Sequence, residues 1–316
     1  MSQPRRTSRR RAWTALTLPA LLCVLAACSG GPASSGGDDA AGPSRSASPT
    51  PTGPPGTMFD NFQYNGPADP ALASHGWEVR SGEGGPGIKD TWNTAGASFP
   101  SDTTAQGGKV LQLQSTTDGT QQGTKQVEVH STATNLFQGT FAARVYFSDK
   151  PASGRGGDHV VQTFFPISPS DASANYSELD FEYLPNGGWG SVGPRLDNVT
   201  WFKADPPDRV HNTLKQRLEG WHTLMITAMN GKVVYSLDGK EVFSSSGKYV
   251  AREKMDIHFS NWFIDLTSGS GPRTWNMKVN WFYYKADEAV SQADVQKTVD
   301  GFYAAGTNHV NTLPKS

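Results

Sequence analysis

The chain has 316 residues, with 28 Lys and Arg against 29 Asp and Glu, a net charge of −1 and two Cys. That balance gives no electrostatic reason to expect nucleic acid or acidic lipid as a partner, and two cysteines cannot staple a disulfide scaffold. Nothing in it resembles a phosphate loop, a zinc-ligand spacing or a basic nucleic-acid patch.

The first residues read as an address. Arg5, Arg6, Arg9, Arg10 and Arg11 precede an apolar run from Ala12 to Ala27, too short to span well as a permanent helix. Residues 1–27 are therefore expected to be a signal peptide. The run ends in Leu25-Ala26-Ala27-Cys28, which resembles a bacterial lipobox cleaved before Cys28, so that the thiol takes up lipid. A lipid there would hold the chain on the outer face of a cell membrane without crossing it. Arg9-Arg10 permits twin-arginine export without deciding it. The other cysteine, Cys23, falls in the discarded run, leaving a mature chain without disulfides.

Residues 28–57 are Gly, Ser, Pro, Ala and Thr with almost nothing apolar. Such a segment reads as a flexible tether with a typical span of about 30 Å. From Met58 to Ser316 the composition turns to aromatics and β-formers, and no second linker or internal repeat divides that stretch. It is expected to be one domain and a monomer.

Short alternating runs then recur between Gly, Pro, Asn and Asp: Gly76–Arg80, Val110–Ser115, Lys125–His130, Gly139–Phe147 and Val160–Phe165. Asn198–Phe202, Trp221–Ala228, Lys232–Leu237, Met255–Phe259 and Asn276–Tyr284 follow. Their number and spacing predict an all-β sandwich of two antiparallel sheets, and no βα alternation supports a doubly wound fold. Asp238-Gly239 is a hairpin turn signal. Near the end, Ser291 as N-cap, Asp294, and apolar Val295, Val299 and Phe302 predict a short amphipathic helix over about 291–305.

The chemistry points to Glu178-Leu-Asp-Phe-Glu-Tyr-Leu184. Glu178, Asp180 and Glu182 alternate with Leu179, Phe181 and Tyr183, the period-2 signature of a strand with one acidic and one apolar face. Three like charges without an interleaved Lys or Arg repel one another, so the pattern asks for a use. One use is glycosidic cleavage, in which one carboxyl protonates the leaving oxygen and a second carboxylate serves the anomeric carbon. Glu178 and Glu182 lie about 13 Å apart at Cα at the strand rise. Side-chain reach brings their carboxyls into range of the ~5.5 Å separation of retaining enzymes. Asp180 lies between them and couples their titrations. The same residues alone would also suit a Ca²⁺ site or a solvated strand face.

This stretch resembles the E-[IL]-D-[IF]-E-[FY]-L signature of the family-16 glycoside hydrolases, the laminarinase, lichenase and agarase group. The resemblance extends through Gly139–Phe147, Trp221-His222-Thr223 with Val234–Lys240, Met255–Trp262 and Val279–Tyr284. It implies a concanavalin-A-like β-jelly-roll. It also implies that Glu178 is the nucleophile, Asp180 the assisting acid and Glu182 the general acid/base of a retaining endo-glycanase. The expected substrate is a β-linked polysaccharide, of β-1,3- or β-1,3/1,4-glucan type. Some members carry an extra residue before the last Glu as a bulge; this chain has the unbulged spacing. The family's Trp-rich strand is replaced here by Val161-Gln-Thr-Phe-Phe-Pro166.

Trp189, Trp201, Asn261, Trp262 and Trp92 are the candidate sugar contacts, because a Trp ring stacks on a pyranose face. His159 and His258 read first as structural histidines, as does His222, and Arg144 and Arg195 as salt-bridge partners. No cofactor or catalytic metal is expected, and a structural Ca²⁺ ion is compatible with the fold. Two other classes stand beside the hydrolase: a non-catalytic lectin-like jelly-roll, and a scaffold whose acids hold Ca²⁺.

Overall fold

The computed structural model describes residues 53–267 and 271–314. The expected signal peptide, Cys28 and most of the tether lie outside the described residues. No described helix is long and apolar enough to cross a membrane.

The strands in chain order are β1 (Thr57–Asp60), β2 (Trp77–Val79), β3 (Ala97–Ser98), β4 (Leu111–Thr117), β5 (Val127–Ser131) and β6 (Gly139–Phe147). Next come β7 (Val160–Ile167), β8 (Glu178–Leu184), β9 (Gly187–Gly188), β10 (Ser191–Val192), β11 (Arg195–Lys203) and β12 (Asp208–Leu214). The last are β13 (Gly220–Met229), β14 (Lys232–Leu237), β15 (Lys240–Ser246), β16 (Asp256–Phe263), β17 (Arg273–Ala286) and β18 (His309–Asn311). Two α-helices, α1 (Pro70–Ser74) and α2 (Gln292–Ala304), and two short 3-10 helices at Thr94–Gly96 and Gln106–Gly108 complete the described elements.

Two large antiparallel sheets form the sandwich. The seven-stranded sheet runs β12-β11-β8-β7-β16-β5-β2. The nine-stranded sheet runs β15-β14-β13-β6-β17-β1-β18, with β4 also on β17 and β3 on β4. Every predicted run coincides with a strand; β2 and β5 are shorter than their runs, and β11, β16 and β17 extend well beyond theirs. Unpredicted were the short strands β1, β3, β9, β10 and β18 and the longer β12 and β15, whose sequences Asp208–Leu214 and Lys240–Ser246 are polar and bury little. β12 and β15 are edge strands, where charge guards unpaired backbone and little side-chain burial marks the pattern. The domain also starts slightly earlier than expected: Thr57 is buried in β1 opposite Lys285.

The inward faces meet in one core that includes Phe141, Val145, Phe164, Leu179, Phe181, Tyr183, Ile226, Phe259 and Phe282. Alternation puts Leu179, Phe181 and Tyr183 inside and leaves the acids on the outward face of β8. Asp238 and Gly239, both at positive φ, close the β14–β15 hairpin, as the dipeptide predicted. Helix α2 matches its predicted span: Ser291 accepts from Asp294 N at 3.2 Å, and Val295, Val299 and Phe302 pack on Phe59, Trp281 and Tyr283 of the nine-stranded sheet. One buried ion pair lies apart from this core. Arg273 donates to Asp158 at 2.7 and 2.9 Å, and Trp275 Nε1 and Thr267 Oγ1 each donate to it at 2.8 Å.

Candidate active site

β8 sits near the middle of the seven-stranded sheet between β7 and β11, with unbroken register on both sides and no bulge before Glu182. The pairing sets out rows across its outward face. One row reads Arg209, Trp201, Glu178, Ile167 and Asp256. The next but one reads Thr213, Asp197, Glu182, Thr163, Ser260 and Glu128. Between them lie His211, Val199 and Asp180, and on the far side Phe165, His258 and His130. The three acids thus share one sheet face, in the order their spacing predicts.

Each acid meets different neighbours. Glu178 accepts a short hydrogen bond from the Tyr176 hydroxyl. Asp180 is buried and accepts from Trp201 Nε1 at 2.8 Å. Burial raises all three carboxyls above their ordinary values. Beyond burial, the charges of Glu178 and Glu182 push Asp180 well above the carboxylate range. Glu182 is pushed up to about 8, by burial first and then by Glu178 and Asp197, with Arg209 and Arg195 pulling the other way. On Glu178, burial is opposed by the hydrogen bonds from Tyr176 and Asp180 and by the positive charges of His258 and Arg209. Glu178 is therefore the acid best placed to ionise, with protons kept on Asp180 and Glu182. Such a split lets one carboxylate attack while another donates.

The five sugar-contact candidates separate. Trp189 is 51 % exposed. With Gly190 it makes a tight turn at positive φ between β9 and β10, and its ring lies 6.1 Å from that of Trp262. Trp201 is half-buried beside Asp180, with the Arg209 guanidinium 4.4 Å over its ring. Trp92 and Trp262 are only 5 % and 6 % exposed and fill a small cluster with Val161 and Leu184. Trp262 backs Trp189, and Trp92 has Arg80 over its ring at 4.2 Å. Neither offers a free face to a sugar, which corrects both expectations. Asn261 is 0 % exposed and belongs to the inward face of β16. Its Nδ2 donates to Leu113 O at 3.1 Å and Trp275 O at 3.0 Å on the opposite sheet. It joins the two layers and touches no substrate, a second correction that follows from strand parity.

His159 binds Asp265 at 3.0 Å and His222 binds Asp238 at 2.6 Å, both structural as read. Arg195 pairs with Asp197, and Arg144 lies 3.8 Å from Asp238. His258 differs: it lies on the acid-bearing face, stacked between Phe165 and His130. Its Nδ1 is 3.2 Å from Glu128 and its Nε2 3.3 Å from Asp256. Burial opposes its charge, but Glu128 and Asp256 outweigh that and raise it to about 9. Tyr176 was also missed, because it precedes the strand and its contact with Glu178 depends on how the loop turns back.

Solved structures share this fold. A Bacillus licheniformis β-glucanase superposes with a TM-score of 0.54 at 15% identity, covering 74% of this chain and 99% of that one. A family-16 endo-glucanase from Bacteroides ovatus gives 0.56 at 14% identity, over 71% and 98%. A laminarinase from a Flavobacterium gives 0.52 at 11% identity, over 72% and 98%. The sandwich is thus the one those glycanases use, as the motif resemblance implied. No protein-family model and no curated protein matches the chain.

Proposed function

We propose that this chain is a family-16 glycoside hydrolase that cuts β-linked polysaccharide within the chain, with retention at the anomeric carbon. The observation that supports it most is the trio on one outward strand face with unequal proton affinities, Glu178 lowest by environment and Glu182 near 8. Glu178 is the nucleophile. Asp180, anchored by Trp201 and bonded to Glu178, steadies that carboxylate and shares its proton. Glu182 protonates the leaving oxygen and then, ionised, takes the proton of the incoming water. A mechanism of this kind needs no cofactor.

Trp189 supplies an exposed ring at one end of the acid strand and Trp201 a half-buried one near the other. β-1,3- and mixed-linkage β-1,3/1,4-glucans are the substrate class, by analogy with the glycanases that share the fold. Lipid at Cys28 and the tether of residues 28–57, which gives way to β1 at Thr57, would hold the enzyme on the outer face of a membrane, with the polymer brought to it from outside.

The test is reducing-end release from laminarin, mixed-linkage glucan and agarose by wild type and Glu178→Gln. Turnover on one glucan, lost by more than about 10³-fold in the variant with an unchanged far-ultraviolet spectrum, supports the reading. Glycan binding without release from any polymer would make the chain a lectin instead.

A further inference from the structure

We propose that Glu128, His130 and His258 form a binding site for a first-row divalent metal ion, zinc foremost, on the outward face of the seven-stranded sheet. The inference is independent of the hydrolase reading. Glu128 and His130 are alternate residues of β5, so they project from the same face, and His258 on β16 is the direct cross-strand neighbour of His130. Two positions on one strand and one on its neighbour bring three donors to a point on a rigid platform. One ligand atom from each lies within 4.8 Å of the other two.

The orientation of the rings is the second observation. Nδ1 of His130 and Nδ1 of His258 are both buried and have no hydrogen-bond partner, although Nδ1 of His258 is 3.2 Å from Glu128 Oε1. The separation is short but the ring N–H does not point along it. A distance of that size is also the edge of a tetrahedron with metal–ligand bonds of about 2.0–2.1 Å, roughly 3.3 Å. The far nitrogens face carboxylates: Nε2 of His258 is 3.3 Å from Asp256, and Nε2 of His130 is 4.0 Å from Glu78. Neither contact is a hydrogen bond in this structure, since Asp256 Oδ1 has no partner and 4.0 Å is too long for one; they place a carboxylate near the second nitrogen of each ring, where a ligating histidine would donate. Arg80 donates to Glu128 Oε1 at 3.2 Å and fixes that carboxylate in turn.

Charge points the same way. With neutral imidazoles the cluster holds three carboxylates, Glu128, Asp256 and Glu78, against one guanidinium, a surplus of two negative charges that a divalent cation cancels. Two nitrogens and one oxygen favour Zn²⁺ or a neighbour in its row over Ca²⁺ or Mg²⁺, which take oxygens. The other His–carboxylate cluster among the described residues, Asp60 with His75 and His309, is spent on structure. There Asp60 already accepts from Phe62 N at 2.7 Å, Trp77 Nε1 at 3.0 Å and the Tyr64 hydroxyl.

The experiment uses tag-free protein stripped with chelator and titrated with Co²⁺, followed by displacement with Zn²⁺. One equivalent of Co²⁺ should give a tetrahedral visible band, Zn²⁺ should abolish it, and equimolar Ca²⁺ should leave it unchanged. Saturating Zn²⁺ should raise the Tm by several degrees. His258→Phe and His130→Phe, which keep a ring in the stack, and Glu128→Gln, which keeps the Arg80 contact, should each weaken binding by about 100-fold or more. His75→Phe should not. Absence of stoichiometric binding by the wild type would overturn the site and leave His258 as an imidazolium held between two carboxylates. Binding that survives all three variants, that is lost in His75→Phe, or that Ca²⁺ displaces would overturn it equally.

Discussion

Glu182→Gln should stabilise the protein while destroying its activity, and the size of the gain should depend on pH. In the fold the Glu182 carboxyl titrates at about 8, against an ordinary value of 4.5. The raised value means that the folded state holds a proton which the unfolded chain gives up from pH 4.5 onward. Folding stability is therefore fully present below pH 4.5 and is lost progressively up to about pH 8. At about 1.4 kcal/mol per pH unit, the loss at pH 7 is about 3 kcal/mol. An amide does not ionise and escapes the loss. For a domain of this size 1 kcal/mol moves Tm by about 2–4 °C, so the variant should melt some 6–12 °C higher at pH 7. The difference should shrink to nearly nothing at pH 4.5. Differential scanning calorimetry of both proteins from pH 4.5 to 8.5, beside an activity assay, measures it. Equal melting temperatures across that range, or a variant that melts lower at pH 7, would refute the claim that Glu182 is kept protonated at a cost to the fold. The same proton places the alkaline limb of kcat/KM near pH 8, where the free enzyme's general acid is lost.

Three further outcomes are expected. Trp201→Phe removes the 2.8 Å donor to Asp180, a bond worth about 1–1.5 kcal/mol, so Tm should fall by about 2–6 °C and kcat roughly tenfold; an unchanged kcat would show that Asp180 needs no anchor. Trp189→Ala deletes a ring that is 51 % exposed and should raise KM for a glucan about fivefold, the equivalent of ~1 kcal/mol of stacking, while Tm stays within about 1 °C. Arg273→Met strands the buried Asp158 carboxylate with only neutral donors. It should cost about 3–5 kcal/mol in urea unfolding, whereas a pair that adds nothing to the fold would give no shift in midpoint.

Much of this site is readable as periodicity. Glu178, Asp180 and Glu182 alternate with core residues, and β-geometry then leaves no choice but to put all three on one face. The same parity, applied to Met255–Trp262, would have excluded Asn261, since Phe259 is a core residue two positions before it. Trp92 and Trp262 failed for a different reason: a large aromatic beside a groove looks the same in sequence whether it lies open or fills the wall, and burial decides. The edge strands β12 and β15 escaped because edge positions gain little from burial and carry no strong pattern.

Local order thus determined by itself the strands, the Asp238-Gly239 turn, the helix at 292–304 and the acidic face, because each depends on neighbours within a few residues. Tertiary structure alone decided which strands lie side by side. Strand order sets Asp197 beside Glu182 and Trp201 beside Glu178, and brings His130 across from His258, although these partners are up to 128 positions apart. The unequal proton affinities of the three acids follow from that order, because burial and charge act through space and not along the chain.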